Sequence, residues 1–392
     1  MRLRRVALVL LVAALLGWEV WRVLTPAAAL RDGPLIVVIP AHAGILDIVV
    51  QLTRAGVIRS PEGFVVLSFA RRSERALKAG EYEVPQGATT ARVLKLLESG
   101  KVRQHPVLQP EGATVTELAR ALEASRLASA ADVLRVATDR AFLSANGVEA
   151  TSVEGYLFPD TYQFVLGMTP EQMLGRMVQR MQAKLTPDIR ARARQRGLGV
   201  HQLLTLASII EREAVVRDER RLISAVFWNR LNLGMPLQAD PTVQYAVGKE
   251  RRALTRADLV ADHPYNTYVH AGLPPGPIAS PGLSAIEAVL DPAPVTYLYF
   301  VAKDDQRHHF STSAAEHNTA AILRVLNGAS RGHAAACFRD LPRAWRSCRG
   351  CRATRRRRLV QERLLHRAGL RLRTHRASRW CGRSRRRRGW AG

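Results

Sequence analysis

The strongest hydrophobic pattern in the body of the chain lies at residues 203–214, which read LLTLASIIEREA. Apolar side chains recur there at helical spacing and the run ends in Glu211 and Glu213, so the pattern predicts a buried helix with an acidic end. On a helix, the neighbours of Glu213 include Ile209 and Ile210, and those of Glu211 include Leu204 and Ala207 beside Ser208, so either carboxyl group would lie on a mainly apolar face. Periodicity therefore does not choose between the two glutamates.

A carboxyl group in apolar surroundings must be protonated or paired, because an isolated buried charge is unfavourable. Protonation is what a general acid needs, since desolvation raises the pKa of a glutamate toward neutral. The alternative is a structural ion pair, for which basic residues are close in sequence: Arg212, Arg217, Arg220 and Arg221. Both interpretations stay open from this stretch alone.

An apolar segment, VALVLLVAALLGW, follows three arginines at the N-terminus and continues past Glu19 to about Leu24. Its composition predicts a membrane-spanning helix, and the preceding arginines predict that the N-terminus stays in the cytoplasm while the rest of the chain is exported. We therefore expect a membrane anchor over residues 1–30. A signal peptide cut near the alanines at 27–29 is the alternative.

Three similar units follow, each of which reads as a short strand, a turn with proline and an amphipathic helix. Their turns lie at residues 40–44, 85–87 and 110–112. In the third unit, Thr114 and Glu117 have the spacing of a capping box. The repetition predicts a small α+β module rather than a long parallel sheet. The first two units, in a domain expected at residues 31–103, resemble the LysM-like module of exported cell-wall proteins, which implies recognition of N-acetylglucosamine polymers.

The segment at 154–164, EGYLFPDTYQF, is rich in aromatic residues and interrupts a stretch otherwise predicted as helices. Pro159 argues against a central strand or a helix interior, so we expect a loop. Aromatic rings beside carboxylates suit a sugar-binding cleft, because sugar faces stack on rings while the hydroxyls form hydrogen bonds. The candidates for sugar binding are Tyr156, Asp160 and Tyr162, and the alternative is an aromatic-anchored surface loop.

Beyond the acidic helix, a further helix is predicted at 222–231, followed by two segments in which proline prevents long helices. The first, 234–248, gathers polar side chains within a few residues: Gln238, Asp240, Thr242, Gln244 and Tyr245. The second, 265–282, is so rich in proline and glycine that we expect a loop of nearly fixed shape, with Asn266 and Tyr268 near its start. Such loops often hold ligands. The elements predicted after it are a short helix at 285–290 and a buried strand at 297–302.

The net charge of +26 at first suggests a nucleic-acid-binding protein. However, residues 331–392 hold 21 arginines and two acids, which leaves about +7 on the preceding part of the chain. All four cysteines lie in the same tail. The charge is therefore a property of residues 329–392, which we expect to be a disordered basic extension or the product of a shifted reading frame. Nucleic acid is disfavoured as a partner.

Several long motifs, in order and spacing, resemble the YceG-like family of endolytic murein transglycosylases of bacteria. They read LASIIEREA, FWNRLNLGMPLQADPTVQYAVG, HPYNTYVHAGLPPGPIASPG, YLYFVA and FSTSAAEHN. The resemblance covers about residues 31–327, and the N-terminal anchor and the EGYLFPDTYQF segment also fit it. It implies a catalytic domain of mixed helices, loops and strands at 104–328. The expected fold class is α+β, with a membrane anchor, a small LysM-like module, this catalytic domain and the basic tail.

The resemblance implies an exported lyase that cleaves the β-1,4 bond between MurNAc and GlcNAc in nascent peptidoglycan strands and so ends their elongation. It places the catalytic glutamate on the first acid of the motif, Glu211. This residue would protonate the glycosidic oxygen and then act as base on the C6 hydroxyl of muramic acid, which closes a 1,6-anhydro ring. A hydrolase uses two carboxylates, but here the substrate supplies its own nucleophile. No cofactor and no metal are expected.

The remaining candidates receive roles only from residue type and motif membership. Those expected to bind substrate are Tyr156, Asp160, Tyr162, Gln238, Asp240, Thr242, Tyr245, Asn266 and Tyr268. The role of Glu213 stays open. The alternative functions are a muramidase with Asp240 or Asp160 as second carboxylate and a non-catalytic peptidoglycan-binding anchor. The expected partners are glycan strands, penicillin-binding synthases and the bacterial inner membrane, with the catalytic domain facing the periplasm.

Overall fold

The computed structural model of the chain describes residues 2–26, 33–73, 75–249, 251–303 and 307–323. The basic tail predicted at 329–392 and the alternative cleavage position at 27–29 lie outside these ranges. Helices and short strands are mixed along the described part of the chain, so the predicted α+β class is confirmed.

The first helix, α1, spans Arg2–Leu24. Within it, Arg5–Leu24 is a segment of 20 residues that is long and apolar enough to cross a membrane. Its large side chains are exposed, with Leu10 at 65% and Leu16 at 63%. An apolar surface of this kind marks contact with another apolar phase, which agrees with the predicted membrane anchor.

Residues 33–103 contain a hydrophobic core of their own. The elements around it are β1 (Leu35–Ile39), α2 (Ile45–Arg54), α3 (Pro61–Ala70), β2 (Gly80–Val84) and α4 (Thr90–Ser99). β1 and β2 pair as antiparallel strands, with Leu35 opposite Val84. Leu52, Phe64 and Tyr82 are fully buried in this core. The first two predicted strand–turn–helix units are thus present, and α3 is an additional helix after the first.

The third strand–turn–helix unit belongs to a second and larger core. It consists of β3 (His105–Gln109) and α5 (Val115–Ala124). The predicted capping box is confirmed: the Thr114 hydroxyl accepts a hydrogen bond from the backbone N–H of Glu117, whose carboxylate accepts one from the N–H of Thr114. β3 pairs with β4 (Asp160–Phe164) rather than with a strand of the first module.

β4 corrects the prediction of a loop throughout residues 154–164. The first half of this segment is irregular, but its last five residues form a strand antiparallel to β3. Pro159 lies just before the strand, where its missing N–H removes no ladder hydrogen bond. The local pattern did not reveal the strand because its partner lies far away in the sequence.

The larger core is mainly helical. The helices that follow α5 in the chain are α6 (Ala130–Ala137), α7 (Arg140–Ala145), α8 (Pro170–Lys184), α9 (Pro187–Gln195), α10 (Val200–Glu213), α11 (Arg220–Asn232), α12 (Asp240–Ala246), α13 (Arg256–Leu259) and α14 (Leu283–Leu290). α8 and α9 each begin with a threonine cap followed by proline. α10 carries the acidic motif and packs against α9, α11, α12 and α14.

β5 (Tyr299–Ala302) and β6 (His308–Ser311) form a third antiparallel pair. The prediction of a strand at 297–302 is correct. The prediction that this strand is buried is wrong, because all four residues of β5 are only partly buried. In a sheet of two strands both strands are edges, so neither is covered on both sides.

Candidate active site

α10 is enclosed by the larger core over most of its length. Every residue from Leu203 to Glu211 is buried, as expected for a helix that is apolar on all faces. The helix ends at Glu213, and the backbone of Ala214 is already extended. The predicted buried helix with an acidic end is therefore confirmed, and both glutamates lie where the chain leaves the core.

Both carboxylate oxygens of Glu211 form contacts with other parts of the chain. Its Oε1 lies 2.5 Å from Nη2 of Arg220, and its Oε2 accepts a 2.9 Å hydrogen bond from the backbone N–H of Gly282. The side chains of this ion pair are only 3% and 8% exposed. Charge-assisted bonds in a buried place hold a carboxylate in a fixed orientation. The ion pair expected from the nearby basic residues is therefore present, and Arg220 is the partner of Glu211.

Glu213 is in a different electrostatic state. Burial raises the pKa of Glu213 to about 8, and the negative charge of Asp240 contributes in the same direction. Arg212 and the backbone N–H of Asp240 lower the pKa, but their effect is weaker. A carboxyl group whose pKa is raised in this way is suited to hold a proton near neutral pH, which is what a general acid requires.

Glu213 lines an open cleft of about 570 Å³. The cleft is built from four separate parts of the chain by Glu111, Gly112, Glu211, Arg212, Glu213, Ala214, Asp240, Pro241, Gln244 and Arg251. Its volume lies in the range of small-molecule sites. Carboxylates, an amide and guanidinium groups in one cleft offer many hydrogen bonds, which suits a ligand rich in hydroxyl and amide groups.

Among the nine predicted substrate-binding residues, Asp240 lines this cleft. It is the first residue of α12, and its Oδ1 accepts a 2.6 Å hydrogen bond from the hydroxyl of Tyr268. Burial and this hydrogen bond raise the pKa of Tyr268, so the phenol stays a neutral donor. Tyr245 follows on the same helix, partly buried, with its ring 5.0 Å from that of Tyr265. The two predicted polar segments thus meet at Asp240.

Three other predicted substrate-binding residues form hydrogen bonds within the protein, next to the cleft. Thr242 and Asn266 are completely buried. The hydroxyl of Thr242 lies 2.8 Å from that of Thr267, and the amide of Asn266 donates to two backbone carbonyls of the preceding loop. The side-chain carbonyl of Gln238 accepts a hydrogen bond from Arg230. Because these polar groups bind other parts of the chain, they stabilise the loops rather than face the cleft.

The three candidates of the aromatic segment do not line this cleft either. The hydroxyl of Tyr156 lies 2.9 Å from Nδ1 of His201, and both residues line a separate cavity of about 190 Å³. Asp160 forms an exposed ion pair with Arg180, and Tyr162 donates to a backbone carbonyl four residues earlier. The pairing of β4 with β3 directs this segment to a different part of the larger core.

Sequence reasoning missed Glu111, which lines the cleft from the turn between β3 and α5. Its Oε2 lies 3.5 Å from Nη2 of Arg220, the nitrogen that also binds Glu211. Gly282 leaves room for this side chain, since a Cβ there would lie 2.0 Å from Oε1 of Glu111. A signal was present in the sequence: the third turn carries an acid where the turns of the first two units carry none.

The fold and the cleft define an α+β protein with an N-terminal apolar helix and a site centred on a glutamate. Residues 37–322 match the YceG-like family, which is most of the chain. The chain belongs to this family, and the resemblance seen in its motifs is confirmed.

Similar proteins occur in other bacteria. The endolytic murein transglycosylase of Bacillus subtilis is 34% identical over 300 residues, which cover 72% of this chain and 82% of that protein. The endolytic murein transglycosylase of Streptococcus pneumoniae serotype 2 is 32% identical over 296 residues, which cover 67% of this chain and 53% of that longer protein. A crystal structure of a YceG-like protein from Listeria monocytogenes is 34% identical, with a TM-score of 0.53, and covers 74% of this chain and 99% of its own.

Proposed function

We propose that this protein is an endolytic murein transglycosylase, a lytic enzyme that cleaves the glycan strands of peptidoglycan. The observation that carries the proposal is the position of Glu213 in an open cleft beside Asp240, where burial raises the pKa of its carboxyl group to about 8. Cleavage of a glycosidic bond needs such a proton donor. The names of the relatives in B. subtilis and S. pneumoniae support the same activity.

We assign the proton donor to Glu213 and not to Glu211, on which the family resemblance places it. Glu211 also lines the cleft, but both of its oxygens already accept hydrogen bonds, from Arg220 and from the N–H of Gly282, so a leaving group would have to compete with these partners. Glu213 keeps its proton at neutral pH and lines the cleft. Glu211 then acts as a positioning residue that ties the end of α10 to α11.

In the proposed reaction, Glu213 donates its proton to the oxygen between MurNAc and GlcNAc while the bond from that oxygen to C1 breaks. The Glu213 carboxylate then accepts the proton of the C6 hydroxyl of muramic acid, and the C6 oxygen bonds to C1. The products are a free GlcNAc hydroxyl and a 1,6-anhydro end, and Glu213 is protonated again. One carboxyl group serves as both acid and base, so no second catalytic carboxylate is needed.

A two-carboxylate muramidase is the second candidate function, and the position of Asp240 favours it. Asp240 lines the same cleft as Glu213, and a glycosidase places two carboxylates around the scissile bond. Asp240 would then activate water or attack the sugar. Asp160, the other partner considered, is engaged by Arg180 and does not line the cleft.

The test is to incubate the full-length protein with uncrosslinked glycan strands and to identify the new ends by mass spectrometry. The transglycosylase gives 1,6-anhydro ends, which are lighter by one water than the reducing ends of a hydrolase. Glu213→Gln should abolish turnover and retain glycan binding. Glu287→Gln, at a partly exposed glutamate of α14 that pairs with Arg192 outside the cleft, is the matched control and should cleave normally. Binding without any cleavage by the unaltered chain would identify a non-catalytic anchor.

We also propose that α1 is retained as a single-pass anchor in the inner membrane, with the catalytic domain of residues 104–328 in the periplasm. The apolar segment Arg5–Leu24 and the arginines before it support this orientation. The enzyme would there meet nascent strands and the penicillin-binding synthases that make them. Protease added to spheroplasts should degrade the catalytic domain, whereas its protection until the membrane is lysed would contradict the orientation.

Glycan binding by residues 31–103 completes the proposed function. The strand–turn–helix units support a LysM-like role, and the module carries a shallow cavity of about 360 Å³ beside β2. Its lining residues are Gly33, Pro34, Glu83, Pro85 and Gln86. Glu83→Ala in the Glu213→Gln background should weaken the binding of N-acetylglucosamine oligomers in calorimetry, and unchanged binding would remove this part of the proposal.

A further inference from the structure

The end of α1 is bound to the beginning of α3. Nη2 of Arg22 donates a 2.6 Å hydrogen bond to the backbone carbonyl of Arg59, and the hydroxyl of Ser60 donates one of the same length to Oε2 of Glu19. Ser60 is also the cap of α3, since its oxygen accepts from the N–H of Gly63. The first turn of α3 therefore lies beside the last turns of α1.

Two packing contacts support the same arrangement. The guanidinium of Arg59 lies 5.4 Å from the centre of the Trp21 ring, in a cation–π contact. Gly63 faces Val23 so closely that a Cβ on Gly63 would come within 2.3 Å of the Val23 side chain. Since the two helices touch, the depth of α1 in a membrane sets the depth at which α3 begins.

α3 reads PEGFVVLSFA, and only part of its apolar surface is used by the core of residues 33–103. Phe64 and Ser68 are buried, whereas Val66 is 68% and Phe69 is 56% exposed. Residues three apart lie on the same side of a helix, so Val66 and Phe69 form one exposed apolar face. No segment among the described residues of the chain covers them, although large apolar side chains are unfavourable in water.

The charges near this face suit an anionic lipid surface. Arg59 precedes α3 and Arg71 and Arg72 follow it, and all three are exposed. The acids nearby are Glu62, which lies 4.0 Å from Arg22, and Glu98, which lies 3.7 Å from Arg71, so Arg59 and Arg72 supply the positive charge beside this face. Basic side chains around an apolar helix face are typical of segments that lie on membranes with anionic lipids.

We propose that α3 is a second membrane contact of this chain, with Val66 and Phe69 in the headgroup boundary of the bilayer that α1 crosses. The inference rests on the proposed role of α1 as an anchor. The spanning segment ends at Leu24, so Trp21 and Arg22 reach the interfacial layer, where such residues are favoured. α3 begins at this level, and a helix there buries its apolar face roughly 5–10 Å deep. Two contacts would hold the module in one orientation on the membrane.

The test uses the full-length chain in vesicles of phosphatidylethanolamine and phosphatidylglycerol. The native cysteines, Cys337, Cys348, Cys351 and Cys381, are replaced by serine, and single cysteines are introduced for a nitroxide spin label. The labelled positions are Val66→Cys and Phe69→Cys, with Leu10→Cys in α1 as the lipid reference. Leu108→Cys, at an exposed apolar residue of β3, is the aqueous reference. Relaxation by oxygen, which concentrates in lipid, is compared with relaxation by a water-soluble nickel chelate.

The labels at positions 66 and 69 are expected to favour oxygen over the nickel chelate, as the label at position 10 does, while the label at 108 favours nickel. Labels at 66 and 69 that behave like the one at 108 would overturn the proposal. Protection of both labels from both reagents would also overturn it, because it would indicate a protein partner on this face. A label at position 10 that is accessible to the nickel chelate would show that α1 does not cross the membrane. The failure of the anchor can therefore be told apart from the failure of α3 as a second membrane contact.

Discussion

The hydroxyl of Tyr268 donates a 2.6 Å hydrogen bond to Oδ1 of Asp240, which lines the cleft that Glu213 also lines. The bond fixes a negative charge that helps to keep Glu213 protonated. Asp240 begins α12, whereas Tyr268 lies on the loop rich in proline and glycine, so a rigid loop holds the carboxylate in place. Tyr268 is in this sense a positioning residue for the proposed acid.

Asp240→Asn should change the pH dependence of cleavage. Loss of the negative charge lowers the pKa of Glu213 from its value of about 8. Because the proposed acid must be protonated, activity falls as the pH rises through this pKa, and the basic limb of the kcat profile should move to lower pH. Asp262→Asn, at an exposed aspartate paired with His270, is the control and should leave the profile unchanged. A basic limb that stays in place in the Asp240 variant would contradict the assignment of Glu213.

Arg220→Met should destabilise the protein by about 3–5 kcal/mol, since it leaves the buried carboxylate of Glu211 without its cation. Urea unfolding measures this loss. The double variant with Arg220→Met and Glu211→Gln should recover part of the stability, because no buried charge is then left without a partner. Arg221→Met is the neighbouring control: its ion pair with Asp291 is exposed, so the expected change is below about 1 kcal/mol. No recovery in the double variant would mean that Arg220 matters for packing rather than for charge.

The parts of the fold that depend on residues close in sequence could be predicted. The capping box of Thr114 and Glu117 and the burial of α10 are local, and both are confirmed. β4 was missed because what makes Asp160–Phe164 a strand is its pairing with β3, which no local pattern contains. The half-burial of β5 likewise depends on how many strands join its sheet.

The motif that holds the site could be predicted, but the division of roles within it could not. Periodicity gave Glu211 and Glu213 equivalent apolar surroundings. Their difference arises from tertiary contacts: α11 brings Arg220 to Glu211, whereas burial and Asp240 act on Glu213. Residue type was also an incomplete guide, since the hydroxyl of Thr242 suits a sugar but is buried in the wall of the site.

Glu213→Gln should also alter the dependence of stability on pH. The pKa of Glu213 is about 8 in the folded protein against an ordinary value of 4.5, so the folded state binds this proton more tightly. The stabilisation is fully present below about pH 4.5 and is lost as the pH rises to 8. The neutral glutamine removes this loss. Between pH 5 and pH 9, the free energy of unfolding of the variant should therefore rise by up to about 4 kcal/mol relative to that of the unaltered protein.

Urea unfolding at pH 5 and pH 9 measures the gain, and Glu287→Gln, at a partly exposed glutamate paired with Arg192, serves as the control. The difference between the Glu213 variant and the unaltered protein should widen with pH, whereas the control should follow the unaltered protein. A difference that is equal at both pH values would show that Glu213 is already ionised at neutral pH, which would return the role of acid to Glu211.

Gly282→Ala tests whether the position of Glu111 matters for turnover. The backbone of Gly282 has a φ of −77°, which alanine adopts without strain, but its Cβ would lie 2.0 Å from Oε1 of Glu111. The carboxylate of Glu111 must then move away from the new methyl group. We expect kcat to fall roughly tenfold to a hundredfold, as a displacement of about 1 Å in a catalytic site does. Gly199→Ala is the matched control, since that glycine has a φ of −74° and its nearest neighbour, Gln202, lies 3.8 Å from the new Cβ.

Glu111→Ala completes this comparison because it removes the side chain with which the new methyl group collides. If Gly282→Ala acts by displacing Glu111, it should have no further effect on kcat in the Glu111→Ala background. An additional loss in the double variant would mean that the methyl group disturbs the hydrogen bond from the N–H of Gly282 to Glu211 instead. Native turnover in both single variants would show that Glu111 lines the cleft without contributing to the reaction.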